Sequence, residues 1–281
     1  MEIIEILKAV LFGIVQGVTE WLPISSTGHM IILNEFVKLN VTEEFYRMFE
    51  VVIQFGSILA VVVLFWKKIW PFGVRHIGRQ KKTYIKSDIV MLWLKIIVAC
   101  IPAAVIGLKF DDLFNELFYN YKSVAIALIV FGIAFIIVEE KHRGKRARIN
   151  SLTEIGFGTA FLIGIFQLLA AIFPGTSRSG ATIVGALILG VSRTVAAEFT
   201  FFLAIPVMLG ASLLKVFKFG LVFTAPELTI LLVGMVVAFI VSLLVIKFLM
   251  GYIKRHDFKV FGWYRILLGI AVLALGFFSV I

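Results

Sequence analysis

The sequence predicts an all-α polytopic membrane protein built as two inverted-topology repeats, each a re-entrant helical hairpin followed by three transmembrane helices. Three observations predict it. The 281 residues are 61% hydrophobic and 16% charged, with a mean hydropathy of +1.05, far too apolar for a soluble domain. The net charge of +10 is gathered into a few short loops, which is the signature of membrane topology rather than of nucleic-acid binding. Two polar, helix-breaking turns interrupt apolar runs and share a local pattern.

In chain order, Ile3–Val18 is apolar and helical in character. Glu2 and Glu5 stand where a signal peptide would be basic and no small-residue cleavage site follows, so the chain reads as mature from Met1. Gln16, Glu20, Pro23, Ser25, Ser26, Thr27, Gly28 and His29 follow closely, and Met30–Val37 is apolar again. Asn34–Glu44 is a polar connection. Phe49–Trp66 is a full apolar span, followed by a strongly basic loop, Lys67–Lys86. Ile89–Leu108 is a second span, Lys109–Glu116 a short loop carrying Asp111, Asp112 and Glu116, and Tyr119–Val138 a third span. The segment Glu139–Asn150 is a basic linker. The second half comprises Leu152–Phe173, the turn Pro174–Gly180, the run Ala181–Val191, and spans at Ala196–Leu214, Leu228–Met250 and Trp263–Ile281. The lone cysteine, Cys100, lies inside a span and reads as packing. Trp66, Trp70, Tyr119, Tyr121, Tyr252, Trp263 and Tyr264 fall near span ends, as interfacial aromatics do.

Topology follows from the basic loops. Lys67–Lys86, residues 139–150 and Gly251–Gly262 belong in the cytoplasm, and Lys109–Glu116 outside. Residues 3–33 are then too short to cross twice, at about 20 residues per crossing. A single crossing would expose Gln16, Glu20 and His29 to lipid. A re-entrant hairpin with its polar tip buried in protein is the better solution. Residues 152–191 must likewise start and end on one side. The halves also match each other: Gly13-Ile14-Val15-Gln16 falls on Gly164-Ile165-Phe166-Gln167 at an offset of 151. Without a gap, Pro23 falls on Pro174, Ser25 on Thr176 and Ser26 on Ser177. The expected organisation is one integral membrane domain over 1–281, with repeat one at 1–138, a cytoplasmic linker at 139–150 and repeat two at 151–281. Inverted repeats with broken helices bring their polar tips together near the bilayer midplane.

The two tips carry a chemical set. Gln16 and Glu20, four apart, share a helix face, and Ser25, Ser26, Thr27 and His29 follow. The second tip supplies Thr176, Ser177, Arg178, Ser179 and Gly180. An arginine at bilayer depth costs roughly 2.5–3.5 kcal/mol and calls for a partner. Its donor fork and the free N–H groups of a helix start suit phosphate. Glu20 is a candidate ligand for a divalent cation, Mg2+ or Ca2+. Ser26 or His29 is a candidate to attack phosphorus while the other moves the proton, and direct attack by water is the third alternative. Against these stand plainer readings: a solvated turn arginine, a glutamate facing water, a histidine that only satisfies hydrogen bonds, a serine bonding its own backbone. Glu50 and Glu198 read as interfacial or structural, with Glu198 in reach of a supporting role. Gly175–Thr182 mimics a P-loop, but Ala181 replaces the lysine and no strand precedes it, so no nucleotide is expected.

The run Gln16-Gly17-Val18-Thr19-Glu20, continuing through Trp21-Leu22-Pro23-Ile24-Ser25-Ser26-Thr27-Gly28-His29, together with Pro174–Gly180, closely resembles the bacterial undecaprenyl-diphosphate phosphatase family, also called bacitracin-resistance proteins. The resemblance covers essentially the whole chain. It implies a multi-pass phosphatase of the bacterial cytoplasmic membrane that releases the terminal phosphate of undecaprenyl diphosphate at the outer face, recycling the lipid carrier for cell-wall synthesis, with a divalent cation. It places the functional residues on Glu20, Ser26, His29 and Arg178, with Gln16, Ser25, Thr27, Ser177 and Ser179 as neighbours. Some members have glutamate where this chain has Gln16, which leaves Glu20 as the one carboxylate of the motif. The competing class is a transporter or flippase of an anionic isoprenoid lipid, which needs Arg178 but not Glu20 and His29 together. A homodimer is compatible with the sequence, and nucleic acid is not an expected partner.

Overall fold

Each of six helices is long and apolar enough to cross a membrane: α3 (Glu43–Leu64), α5 with its π-helical end (Ser87–Gly107), α7 (Tyr121–His142), α10 (Arg193–Phe219), α11 (Ala225–Tyr252) and α12 (Lys259–Phe277). They match the six expected spans and define a polytopic membrane protein. The computed structural model describes residues 3–77, 80–220 and 222–278. Arg79 of the basic loop and residues 279–281 of the last expected span lie outside them, as do the side chains of Asp111 and Asp112.

Four shorter helices form two hairpins. Helices α1 (Ile3–Thr19) and α2 (Ser26–Phe36) meet at the turn that holds Pro23, and α8 (Phe157–Ile172) and α9 (Arg178–Ile188) meet at the turn that holds Pro174. The hairpin arms lie against the long helices through small residues. Gly13 and Gly17 of α1 face the carbonyls of Gly234 and Ala238 on α11, and Gly164 of α8 faces the carbonyl of Ala99 on α5. A Cβ at any of the three would stand within 2.8 Å of that carbonyl oxygen, so glycine is what allows the backbones to approach. Helices α7 and α12 pack the same way, Gly132 and Gly262 each facing the other's carbonyl. Helix α3 lies between α10 and α11.

Three segments depart from the sequence reading. The basic loop contains a short helix, α4 (Trp66–Ile69), and an antiparallel β-hairpin, β1 (Phe72–Ile77) with β2 (Gln80–Ile85), so the protein is nearly all-helical rather than all-α. Alternation made this legible in principle: Phe72 pairs with Ile85 and Val74 with Thr83, and the ring of Tyr84 covers Gly73. The charged segment Lys109–Glu116 is not a loop but part of α6 (Leu108–Phe118). Its Phe110, Leu113, Phe114, Leu117 and Phe118 recur at helical spacing, a pattern that its charges obscured. The third departure is the gap-free match between the halves. The helix caps are Ser25 and Ser177, which are 152 apart rather than 151. Pro174-Gly175-Thr176-Ser177 therefore holds one residue more than Pro23-Ile24-Ser25, and at the caps Ser26 corresponds to Arg178, not to Ser177.

Candidate active site

Both turns use a strained serine to start the next helix. Ser25 (φ 74°) and Ser177 (φ 67°) are the only non-glycine residues with positive φ among the described residues. Each is an N-cap whose hydroxyl accepts from a glycine N–H three residues on, Gly28 at 3.4 Å and Gly180 at 3.2 Å. Such backbone costs about 1–3 kcal/mol and concentrates at functional sites. The caps leave the N–H groups of Arg178 and Ser179 without an acceptor among the described residues. Helix α9 thus begins at Arg178 itself, inside the expected turn Pro174–Gly180, and the guanidinium sits at the positive end of the helix.

The tips touch. Arg178 Nη2 donates to Glu20 Oε1 at 2.7 Å, and Ser179 Oγ donates to the Glu20 carbonyl at 3.1 Å. The other carboxylate oxygen, Oε2, accepts from Gln16 Nε2 at 2.8 Å and from Ser26 Oγ at 3.4 Å. Glu20 is only 6% exposed, so its charge is met almost entirely by these groups. The Arg178 guanidinium also lies 5.8 Å from the Trp21 ring centroid, and Trp21 is itself buried edge-on against Phe201. Arg178 Nη1 donates to the Thr200 carbonyl at 3.4 Å, and Thr200 Oγ1 donates to Thr182 Oγ1 at 2.9 Å, which ties the second tip to α10. Ser177 and Ser179 hydroxyls stand 3.2 Å apart. Thr176 is buried, with its hydroxyl unpartnered among the described residues.

His29 is on α2, one turn beyond the cap, and turns the other way. Its Nδ1 is 2.7 Å from the Ser25 carbonyl, which can only accept, so Nδ1 carries the proton. In the neutral ring Nε2 then accepts from the Tyr264 hydroxyl, at 2.7 Å, and the two rings are stacked. His29 has no hydrogen bond to Glu20 or Arg178 among the described residues. Gln16, Ser26 and Thr27 line a cavity of about 130 Å³ together with Glu50, Gln54 and Tyr119.

Three residues of this neighbourhood were not picked out from the sequence. Arg265, in α12, is fully buried and donates to Pro23 O (Nη1, 3.3 Å), Gly175 O (Nη2, 3.1 Å) and Thr176 O (Nη2, 2.6 Å). One guanidinium therefore holds carbonyls of both turns. Its intramembrane charge was the available signal. Tyr264, read as an interfacial aromatic, is the partner of His29. Glu50, read as interfacial or structural, lies on the cavity wall and accepts from the Tyr119 hydroxyl at 3.4 Å. Glu198, by contrast, is an ion-pair partner of Lys68 at 2.7 Å, a structural role.

The fold is that of a polytopic membrane protein, and its two meeting tips bring together an arginine, helix N–H groups without an acceptor among the described residues, a carboxylate and hydroxyls, a set chemically suited to an anion and to proton transfer. Comparison with known proteins makes this specific. Residues 9–271 match the family model described as bacitracin resistance protein BacA, and the chain belongs to that family. It is 66% identical to the undecaprenyl-diphosphatase of Desulfitobacterium hafniense over 97% of this chain and 96% of that protein. It is equally 66% identical to undecaprenyl-diphosphatase 1 of Clostridium acetobutylicum, over 97% and 98%. An undecaprenyl-diphosphatase of Enterococcus faecalis is 56% identical over 97% of this chain and 98% of its own length.

Proposed function

We propose that this chain is an undecaprenyl-diphosphate phosphatase, an enzyme that hydrolyses the terminal phosphate of undecaprenyl diphosphate to give undecaprenyl phosphate and inorganic phosphate. The observation that carries this reading beyond the relatives' names is the contact of Arg178 with Glu20, which joins the two motif-bearing turns into one polar site. The relatives are named as phosphatases, and an acid–base group placed on the anion-binding residue is what chemistry requires and carriage does not, so the transporter reading is not favoured.

In the mechanism, Arg178 and the N–H groups of Arg178 and Ser179 bind the terminal phosphoryl oxygens, with the hydroxyls of Ser177, Ser179 and Thr176 in support. The hydrogen bond from Ser26 to Glu20 supports Ser26 as the nucleophile. Its oxygen forms a bond to the terminal phosphorus, its proton passes to Glu20, and the bond from that phosphorus to the bridging oxygen breaks. Undecaprenyl phosphate leaves with the bridging oxygen. That proton passes from Glu20 to the departing phosphate group, so Glu20 is ionised again. It then takes a proton from water as the water oxygen bonds to phosphorus, the bond from phosphorus to Ser26 breaks, Ser26 regains the proton from Glu20, and inorganic phosphate is released. The bonds of both His29 ring nitrogens, to the Ser25 carbonyl and to the Tyr264 hydroxyl, support a positioning role at the start of α2 rather than attack on phosphorus.

A divalent cation, Mg2+ or Ca2+, fits the residues present. Gln16 turns its amide nitrogen to Glu20, which leaves Oε1 fully buried without a partner among the described residues, and an unpaired oxygen of this kind suits a hard cation. Gln16 Oε1 and Glu20 would hold the ion, and its chemistry would be to neutralise diphosphate charge.

The membrane arrangement belongs to the same proposal. Helices α2 and α9 are each 11 residues, about 16 Å at 1.5 Å per residue, roughly half of the ~30 Å hydrocarbon core. That length, the shared serine caps and the matching packing of α1 on α11 and α8 on α5 support two re-entrant hairpins in inverted repeats. The basic loops support an opening on the outer side of the bacterial cytoplasmic membrane. The test is phosphate release from undecaprenyl diphosphate by purified protein in detergent, with and without Mg2+. Release that Mg2+ stimulates and that falls about a thousandfold in Arg178→Ala supports the reading, and release no greater than that of Arg178→Ala ends it.

A further inference from the structure

The segment between α3 and α5 carries seven lysines and arginines, at 67, 68, 75, 79, 81, 82 and 86, and no acidic residue. Lys68 is taken by Glu198, whereas Lys67 is exposed and has no acidic partner among the described residues. The base of the β1–β2 hairpin is closed by the bond from Lys86 N to Pro71 O, at 2.8 Å. Buried Ile69, and the bond from Trp93 Nε1 to Ile69 O at 2.8 Å, hold α4 against α5. A line of aromatic rings runs from the end of α3 into β1. Trp66 stacks on Trp70 with centroids 4.5 Å apart, and Trp70 meets the Phe72 ring edge-on at 5.5 Å. Tryptophans at the end of a membrane-spanning helix mark the interface, which sets the base of the hairpin at headgroup level.

The register then sorts the residues, because partners across the strands share a face. Phe72 with Ile85 and Val74 with Thr83 fall on one face, and Gly73 with Tyr84 on the other. Phe72, Val74 and Ile85 are 47%, 59% and 64% exposed, so the protein leaves this apolar face largely uncovered. Toward the turn the register positions pass to Arg75 with Lys82 and to His76 with Lys81, so basic positions follow on both faces. A lone two-stranded hairpin is marginally stable in water and gains from a surface that covers its apolar side. Apolar surface at the base with cations beyond it matches the layering of an anionic bilayer, hydrocarbon boundary and then phosphates. An acidic soluble partner would account for the cations but not for the apolar face. Both ends of the hairpin are also tied to membrane-spanning helices, α3 through α4 and α5 directly, which keeps it beside the bilayer.

We propose that the β1–β2 hairpin is a docking element for anionic phospholipid, with Phe72, Val74 and Ile85 seated at the boundary of acyl chains and headgroups and the basic positions beyond them on lipid phosphates. The site is separate from the paired tips and needs neither the phosphatase reading nor a particular direction of the topology.

The test uses full-length protein in nanodiscs of phosphatidylcholine, with and without phosphatidylglycerol. Spin labels are placed by Val74→Cys on the apolar face and by Tyr84→Cys on the other, each combined with Cys100→Ala. Electron paramagnetic resonance reads their accessibility to oxygen and to a water-soluble nickel complex. With phosphatidylglycerol the label at position 74 is expected to gain several-fold in oxygen over nickel accessibility, and the label at position 84 to change less. A disordered hairpin cannot imitate that difference between faces. Added salt, which screens the attraction, and the triple variant Arg75→Gln, Lys81→Gln, Lys82→Gln are each expected to reverse the change. A label at position 74 equally wet in both lipids would overturn the proposal and leave the basic loop to a soluble acidic partner. Equal changes at 74 and 84, burial of 74 without phosphatidylglycerol, or a response that survives salt and the triple variant would overturn it as well.

Discussion

At the tip of α1 and α2 the residue after the capping serine is Ser26, and at the tip of α8 and α9 it is Arg178. The two turns otherwise share much: a proline, a serine at positive φ, a hydroxyl-to-glycine cap and an 11-residue helix. One backbone plan therefore presents a nucleophile candidate in one copy and a fixed cation in the other. The arms differ in the same complementary way. Gln16 donates to Glu20 four residues on, while Gln167, at the matching place in α8, has Ala171 at that spacing and has neither amide atom partnered among the described residues. In the proposed mechanism the acid–base groups come from the first hairpin and the anion-binding groups from the second. On that mechanism neither hairpin holds a complete site, and the contact of Arg178 with Glu20 is what joins them.

The largest effect is expected from removing the fork that only the second tip has. Arg178→Lys keeps the charge but loses bidentate recognition, and its kcat/KM is expected to fall at least a hundredfold. Near wild-type turnover in the phosphate-release assay would show that the second tip contributes charge alone. Next comes Arg265, which ties the turns to each other. Arg265→Gln frees the carbonyls of Pro23, Gly175 and Thr176, and kcat is expected to drop about a hundredfold, as a misplacement of roughly 1 Å does. KM should change less than kcat, and Arg265→Lys should restore part of the loss. A kcat unchanged in Arg265→Gln would mean that the tips hold their places without it. The smallest effect separates the two caps. A Cβ at Gly180 would stand 2.5 Å from Arg265 Nη1, whereas one at Gly28 would meet only Leu128 Cδ1 at 3.2 Å. Gly180→Ala is expected to lower activity about tenfold, the cost of 1–2 kcal/mol of overpacking, and Gly28→Ala no more than two- to threefold. Equal losses would argue that Arg265 does not distinguish the turns.

The six long helices were legible because hydropathy over about 20 residues is a strong signal. The motif residues were legible because polar groups inside apolar runs have few structural excuses. Arg178, Glu20, Ser26, Ser179 and Gln16 do come together, as the two facing tips require. His29 joins them only through Ser25, since its ring is taken by Tyr264. What escaped has a common cause. The partners of Arg265 are backbone carbonyls, which leave no mark in a sequence, and Glu50 reaches the cavity because α3 packs against α1. The one-residue slip between the caps was invisible for a related reason: the gap-free match sets Pro23 on Pro174, and the extra residue lies inside the turn, between Pro174 and the cap at Ser177.

The most direct measurement is a double-mutant cycle on Glu20→Gln and Arg178→Ala, read as kcat/KM for phosphate release from undecaprenyl diphosphate. If the two tips act as one unit on one diphosphate, the double variant loses little more than the worse single variant. Losses that simply multiply would contradict a shared site.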